Sequence, residues 1–425
     1  MLFNKVPGPG DQKWRNISLY LLAASIPFSD NLNSWCIIFF IITTILSTGL
    51  SEMYGRLRLS KLWIPPALFF LWITLTMFWD SSGHVTIKNI EGYATLLFIP
   101  MVLAASCSIP YKVVMRTCFS LFIATLLISL ICLAKAWMEY RVTGDSRVFY
   151  YHYLSHQMGL NAVYLAAYCL AGLVWLLYFK FIDKAGLRLN KWLCVLIAIY
   201  LCIFIFMLSS KLAISLLAVS LIILFCYIGY QRGRIRTAIF TLLLLISVSA
   251  VVVYNMSYLR WRISVTRLKT YGGTADDQNG LAARLLMWSS AWELIKERPV
   301  QGYGVNGSKQ QLLDKYREKD FKLGLQEKYN CHNQYLDSFL VGGVIGLGLL
   351  LAIIITTTVE ALRYRNLLLL MILLQFVSMS VVEVTLGVQK GIVFYFFFIF
   401  LFYYHGPGNM KLSTRVDQNL NVIAG

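Results

Sequence analysis

Long apolar stretches separated by short polar loops recur along almost the whole chain. A helix needs about 20 mostly apolar residues to cross the hydrocarbon core of a bilayer. The first stretch is short and contains Pro27, so we expect it to be kinked or incomplete. The pattern predicts an all-α polytopic membrane protein with twelve spanning helices, at residues 16–30, 34–50, 62–79, 89–106, 117–137, 158–179, 192–209, 212–230, 237–255, 335–358, 366–383 and 390–404.

Residues 255–331, between the ninth and tenth predicted spans, form the longest polar interval. Two amphipathic helices are predicted within it. The second runs over 308–322, with Leu312, Leu313 and Tyr316 on its apolar side. We expect the interval to lie against the membrane, and Leu259, Trp261 and Ile263 to lie at the interface. The first helix ends at Pro299, and its predicted apolar face consists of Leu281, Leu285, Trp288, Trp292 and Ile295.

Composition and charge agree with a membrane protein. The 425 residues are 58% hydrophobic and 14% charged, and the formal net charge is +18. The basic residues lie in short clusters between apolar stretches, such as Arg232, Arg234 and Arg236, so binding to nucleic acid is not expected. Their distribution over alternate loops places both termini in the cytoplasm.

This orientation divides the chain into five parts. We expect a cytoplasmic N-terminal tail at 1–15 and the first nine spans at 16–254. A large periplasmic segment at 255–331 follows, then the last three spans at 332–404 and a cytoplasmic tail at 405–425.

Neither disulfides nor bound cofactors are expected. Of the nine cysteines, only Cys331 lies in the large periplasmic segment, so no disulfide framework is predicted. The chain has no HExxH motif and no CxxC pair, which argues against a metal site. It also lacks a Walker A lysine motif, so direct nucleotide hydrolysis is not expected.

Several ionisable residues are predicted to lie at the outer edge of the membrane. Taken alone, each has an ordinary explanation, because lysines can snorkel to headgroups, an arginine can be solvated and a histidine can bond to the backbone. Their agreement in side and depth instead predicts a cationic pocket for a lipid diphosphate, with a histidine as proton acceptor. These residues are Lys211, Arg284, His332, Glu383 and Lys390, joined by Arg147, His152 and His156 from the third outward segment.

Two short motifs resemble those of the O-antigen ligase and O-antigen polymerase superfamily. The first is His332-Asn333-Gln334, followed after nine residues by Gly343-Val344-Ile345-Gly346. The second precedes it in the long polar interval and consists of Arg284-x-x-x-Trp288-x-x-Ala291, continuing to Pro299 and Gly302-Tyr303-Gly304. The order of parts is also similar, with one large periplasmic segment between the ninth and tenth of twelve spans.

The resemblance implies a bacterial inner-membrane enzyme that needs neither metal nor nucleotide. It would transfer a glycan from undecaprenyl diphosphate to an acceptor hydroxyl, which in the ligases belongs to lipid A-core. His332 takes the place of the family base and Arg284 that of the diphosphate-binding arginine. Lys211 stands where the family has a second arginine, so the charge is kept but the planar fork is lost. We further assign Arg147 and Lys390 to the diphosphate, with Asn333, Glu383 and His156 as supporting residues.

Other functions remain open at this point. A polymerase would differ chiefly in its acceptor, a second lipid-linked glycan, and ligase is the favoured interpretation. A transporter or flippase ranks lower, because transporters place polar residues near the bilayer midplane rather than at its edge. A receptor or scaffold would leave the polar cluster without a use.

Overall fold

The computed structural model describes residues 9–80, 87–183, 187–233 and 280–406, with isolated positions at 236, 239 and 243. Over these ranges the chain is helical and contains no β-strand. The helices before the polar interval are α1 Pro9–Ser25, α2 Asp30–Thr48, α3 Leu50–Leu59, α4 Ile64–Leu75, α5 Ile87–Ala105, α6 Tyr111–Thr143, α7 Tyr151–His156, α8 Ala162–Leu177, α9 Lys191–Met207 and α10 Lys211–Gln231. Those that follow are α11 Gly280–Glu297, α12 Val305–Glu318, α13 Lys322–Gln326, α14 Gln334–Arg363, α15 Leu367–Val382 and α16 Gln389–His405.

The helical membrane class is confirmed, whereas the number of spans is not. Among the described residues, five helices are long and apolar enough to cross a membrane, namely Asp30–Thr48, Tyr111–Thr143, Ala162–Ile182, Lys211–Gln231 and Gln334–Arg363. A sixth span results if Leu50–Leu59 and Ile64–Trp79, bent by 98°, count as one. Three shorter apolar helices coincide with further predicted spans. The ninth predicted span and the interfacial Leu259, Trp261 and Ile263 lie almost wholly outside the described residues.

The last helix lies at the centre of the bundle. Every residue of α16 from Gly391 to His405 is buried, as expected for a helix that is apolar on all sides. Its aromatic rings pack against α8, with ring centroids 4.5 Å apart for Trp175 and Phe398. These contacts fix the direction of α16 and therefore the position of the turn that precedes it.

Contacts between helix ends show which turns share one end of the bundle. His332 contacts Glu383 beside the start of α16, whereas His405 at the other end of α16 contacts Ser106, just after α5. Tyr111 at the start of α6 donates to Asp183 just after α8, over 2.8 Å. The start of α6 and the end of α8 therefore lie at the His405 end of the bundle. The next helix, α9, runs back from there, so the turn between α9 and α10 lies at the His332 end.

A buried polar cluster closes the opposite end. Arg15, within α1, has no solvent exposure and donates to the carbonyl of Cys107 at 3.2 Å. His405 is also buried and accepts from the backbone N–H of Ile109 at 3.3 Å. Residues 9–15, predicted as part of a tail, therefore belong to a helix that is anchored in the bundle.

Both amphipathic helices of the polar interval are present, and the predicted apolar face of the first coincides only in part with its buried face. The helix α11 buries Ala283, Met287, Ala291 and Leu294, while Leu285 and Trp292 are about half exposed. Trp288 is partly buried against the same cluster, and the ring of Trp292 lies 6.3 Å from that of Phe339 in α14. The predicted apolar face therefore overlaps the buried face at Trp288 and Ile295, and the side chain of Leu281 lies outside the described part of the chain. In α12, Leu312 and Tyr316 are buried as predicted.

Candidate functional site

His332 lies just outside the helix α14, in a backbone conformation that is rare for a residue with a side chain. Its φ is +45°, and its backbone N–H donates to Asn330 Oδ1 at 2.9 Å. Asn333 caps α14, since its Oδ1 accepts from the N–H groups of Tyr335 and Leu336 at 2.9 and 3.0 Å. This left-handed conformation is strained for any residue other than glycine, so it persists only where the surrounding structure fixes it. Such residues are concentrated at functional sites.

His332 is paired with Glu383. The distance from His332 Nδ1 to Glu383 Oε2 is 3.1 Å, and the two side chains are 24% and 10% exposed. A carboxylate can only accept, so this hydrogen bond places the imidazole proton on Nδ1 and leaves the lone pair on Nε2. The ring of Tyr329 meets the imidazole edge-on, with centroids 5.4 Å apart. The imidazole is thus held in an orientation suited to accepting a proton at Nε2.

Gln334 holds the turn that carries Glu383. Its Oε1 accepts from the backbone N–H of Leu386 at 2.7 Å, and its Nε2 donates to Ser338 Oγ at 2.9 Å. The His-Asn-Gln triplet therefore has three separate tasks: one side chain pairs with Glu383, one caps the helix and one secures the opposite turn. The sequence motif was sufficient to single out His332 and Asn333. The role of Gln334 was missed, because its contact with Leu386 depends on tertiary structure.

Arg284 lies on α11 next to the same apolar cluster that surrounds the histidine. Its neighbour Ala283 packs in one buried cluster with Cys331 and Val384, the residues adjacent to His332 and Glu383. Arg284 is half-buried, and no hydrogen bond or ion pair joins its guanidinium to another residue in the described ranges. Two independent chain segments thus bring Arg284 and His332 to one region of the molecule.

Lys211 and Lys390 both start helices at the His332 end. Lys211 follows Ser209, which has a φ of +48°, and Ser210, whose Oγ caps α10 through the N–H of Ala213. The turn between the seventh and eighth predicted spans is therefore tight, and Lys211 is exposed there. Lys390 is half-buried in the first turn of α16, and its carbonyl accepts from the hydroxyl of Tyr168 at 3.5 Å.

Arg147 is already engaged by a nearby acid. Its Nη2 lies 2.8 Å from Asp145 Oδ2, and its Nε donates to both carboxylate oxygens of Asp145. Hydrogen bonds from Arg147 hold the pKa of Asp145 below its usual value. Contact with a diphosphate would therefore have to compete with Asp145. His156, at the end of α7, is exposed.

Cys331 is completely buried beside His332. Its Sγ donates to the carbonyl of Asn333 at 3.2 Å, and burial raises the pKa of the thiol well above its usual value. All nine cysteines are unpaired. Within the described part of the chain, no group of three or more His, Cys, Asp or Glu residues is arranged to hold a metal ion.

The fold and these contacts define a helical membrane protein with a histidine–carboxylate pair at one end of its bundle. Residues 193–351 match the family model described as O-antigen ligase. The resemblance to the O-antigen ligase superfamily is confirmed over these residues, which make up less than half of the chain. The matched residues include Lys211, Arg284 and His332, and the match supports membrane glycan transfer of the O-antigen ligase or polymerase type.

A second similarity is to a protein of Haemophilus influenzae that is named only as an uncharacterized protein. The two are 30% identical over 112 residues, which is 25% of this chain and 27% of that protein. The aligned region therefore spans about a quarter of each chain.

Proposed function

We propose that this protein transfers a glycan from undecaprenyl diphosphate to a sugar hydroxyl of lipid A-core, at the periplasmic face of the bacterial inner membrane. The 3.1 Å contact between His332 and Glu383 is the observation that carries this proposal. A histidine oriented by a carboxylate, with Nε2 left as acceptor, is the arrangement that general-base activation of a hydroxyl requires. The family match over the residues that contain His332 supports the same chemistry.

In the proposed reaction, the acceptor hydroxyl attacks the anomeric carbon of the donor glycan. Its proton passes to His332 Nε2 as the new C–O bond forms, and Glu383 stabilises the imidazolium. The bond from the anomeric carbon to the diphosphate oxygen breaks, and undecaprenyl diphosphate leaves. Arg284 and Lys211 stabilise the negative charge that collects on the departing oxygens.

The proposed arrangement keeps both termini in the cytoplasm and residues 255–331 in the periplasm. The fixed cations and the histidine would then face the side on which lipid-linked glycans and lipid A-core are both present. Arg284 is the strongest candidate for the diphosphate, because it is half-buried and a guanidinium can bind two phosphate oxygens at once.

The test is to supply the purified protein with a lipid diphosphate-linked glycan and, in separate reactions, with lipid A-core or a second lipid-linked glycan. Extension of lipid A-core supports a ligase, whereas extension of the second glycan would identify a polymerase. Absence of product with both acceptors would contradict the proposal and favour a transporter.

A further inference from the structure

The helix α14 is broken close to its start. At Gly343 the backbone has φ +63° and ψ −161°, far from helical values. A break of this kind frees the carbonyls of the preceding turn, and buried carbonyls must find other partners. Those partners reveal how the large extramembrane segment is attached.

All three carbonyls before the break accept hydrogen bonds from distant parts of the chain. One donor is the indole of Trp72 in α4, and two are backbone N–H groups of the turn that follows α11. The bonds run from Tyr303 N–H to Leu340 O at 2.9 Å, from Gly304 N–H to Val341 O at 3.0 Å and from Trp72 Nε1 to Gly342 O at 2.8 Å. In the opposite direction, Val344 N–H donates to Pro299 O at 2.9 Å.

Glycines make this approach of two backbones possible. A Cβ on Gly343 would lie 1.9 Å from the carbonyl oxygen of Val300, which no small adjustment can relieve. A Cβ on Gly302, whose φ is +66°, would lie 2.6 Å from the carbonyl oxygen of Val341. Gly302 and Gly343, which belong to the two motifs noted in the sequence, therefore lie on the two sides of one backbone contact.

The residues just after α4 hold the same turn from its other side. Trp79 Nε1 donates to the carbonyl of Gln301 at 3.3 Å. Asp80 Oδ2 accepts from the backbone N–H of Asn306 at 2.7 Å and so caps the first turn of α12. Both helices that flank the turn are thereby tied to the membrane bundle.

We propose that these three segments, residues 72–80, 299–306 and 340–344, form a permanent clasp. The clasp holds α11, and with it Arg284, in one register relative to His332, which lies just before the half-helix that ends at Gly343. The described part of the extramembrane segment, residues 280–331, is then a fixed wall of the site and does not lift as a lid during turnover. Gly302, Gly343 and Trp72 are positioning residues in this sense, and the kinetic part of this inference rests on the proposed glycan transfer.

The first test locks the clasp covalently. Val300 and Val344 are both exposed and lie on opposite sides of the contact, so Val300→Cys/Val344→Cys should be joined by an oxidant or a short bifunctional thiol reagent. We expect the joined protein to keep the transfer rate of the wild type treated in the same way. Failure to join, or loss of transfer that reductant restores after disulfide formation, would overturn the proposal.

The second test disturbs the register without removing a functional side chain. Gly343→Ala should lower kcat about a hundredfold, because a displacement near 1 Å between reacting groups can cost that much. The KM for the donor glycan should change far less than kcat, and the melting temperature should fall because the backbone must shift to admit the Cβ. Gly348→Ala is the matched control, since a Cβ there meets no atom within 4 Å. Equal kcat for both variants would refute a positioning role.

A third measurement separates this inference from the proposed function. Amide hydrogen exchange of the wild-type protein needs no substrate, and the N–H groups of Tyr303, Gly304 and Val344 should exchange as slowly as those inside the helices. Rapid exchange at these three positions would show that the clasp opens. If exchange is slow but no acceptor is ever extended, the clasp stands and the glycan-transfer proposal fails.

Discussion

Glu383→Gln should slow glycan transfer while leaving the protein folded. The substitution keeps the size of the side chain but removes the negative charge that faces His332 at 3.1 Å. The new amide can also donate to Nδ1, which would move the imidazole proton to Nε2 and remove the proposed proton acceptor. Both consequences act on the transition state more than on donor binding.

The size of the effect follows from the geometry of the pair. A hydrogen bond to a charged group contributes about 1.5–3 kcal/mol. Two charges about 4 Å apart near a protein surface interact by about 4 kcal/mol at an effective dielectric constant of about 20. The side chains of His332 and Glu383 are 24% and 10% exposed, so solvent screens the pair only in part. With each tenfold in rate equal to about 1.4 kcal/mol, kcat should fall between about tenfold and a thousandfold.

The assay is the initial rate of acceptor extension by purified protein in a lipid bilayer, with donor glycan varied to separate kcat from KM. Glu360→Gln is the matched control, because Glu360 also pairs with a cation, Arg363 at 3.5 Å, but lies at the other end of α14. A kcat for Glu383→Gln within about threefold of the control would refute the base assignment, since about 0.7 kcal/mol is too little for a charged partner in the transition state.

Three further predictions concern the cations and the packing of the extramembrane segment. Arg284→Lys should raise the KM for the donor about tenfold and Arg284→Ala more, because lysine keeps the charge but cannot bind two phosphate oxygens together; equal KM values for both variants and the wild type would exclude diphosphate binding. Lys211→Arg should retain or improve transfer and Lys211→Ala should lose it, as measured by the same assay, whereas equal rates in all three proteins would indicate that Lys211 only reaches the lipid headgroups. In intact cells, a membrane-impermeant maleimide should label Lys296→Cys, which is exposed at the end of α11, but not native Cys331, whose thiol is buried and has a raised pKa. Labelling of Cys331 at a similar rate would contradict the packing. Absence of labelling of Lys296→Cys would contradict the periplasmic location.

Sequence reasoning reached the helical class and proposed candidate site residues, because both follow from local pattern. Apolar length predicts helices, and an ionisable side chain near the end of an apolar stretch is costly wherever the rest of the chain lies. The pairing of His332 with Glu383 is different, because it depends on how α15 and α16 pack and joins residues far apart in sequence. The sequence could place Glu383 in the last outward turn, but it could not identify His332 as its partner.

The errors and omissions have equally local physical causes. Periodicity identified an apolar face on α11 from its largest side chains, yet Leu285 and Trp292 are about half exposed, while Ala283 and Ala291, which a hydrophobic pattern weights less, are buried. The pairing of Arg147 with Asp145 is only two residues apart and could have been anticipated from the sequence. The clasp could not have been anticipated in this way. A glycine at position 302 or 343 indicates that a side chain is not tolerated there, but it does not identify the backbone segment that lies against it.

The most direct test of the proposed chemistry is a single-turnover measurement of undecaprenyl diphosphate release, made with and without lipid A-core. The wild-type protein should release one undecaprenyl diphosphate for each acceptor extended, and only when acceptor is present. His332→Ala should bind the donor with unchanged affinity but release no product. Release by His332→Ala at the wild-type rate would contradict the assignment of His332 as the base that activates the acceptor.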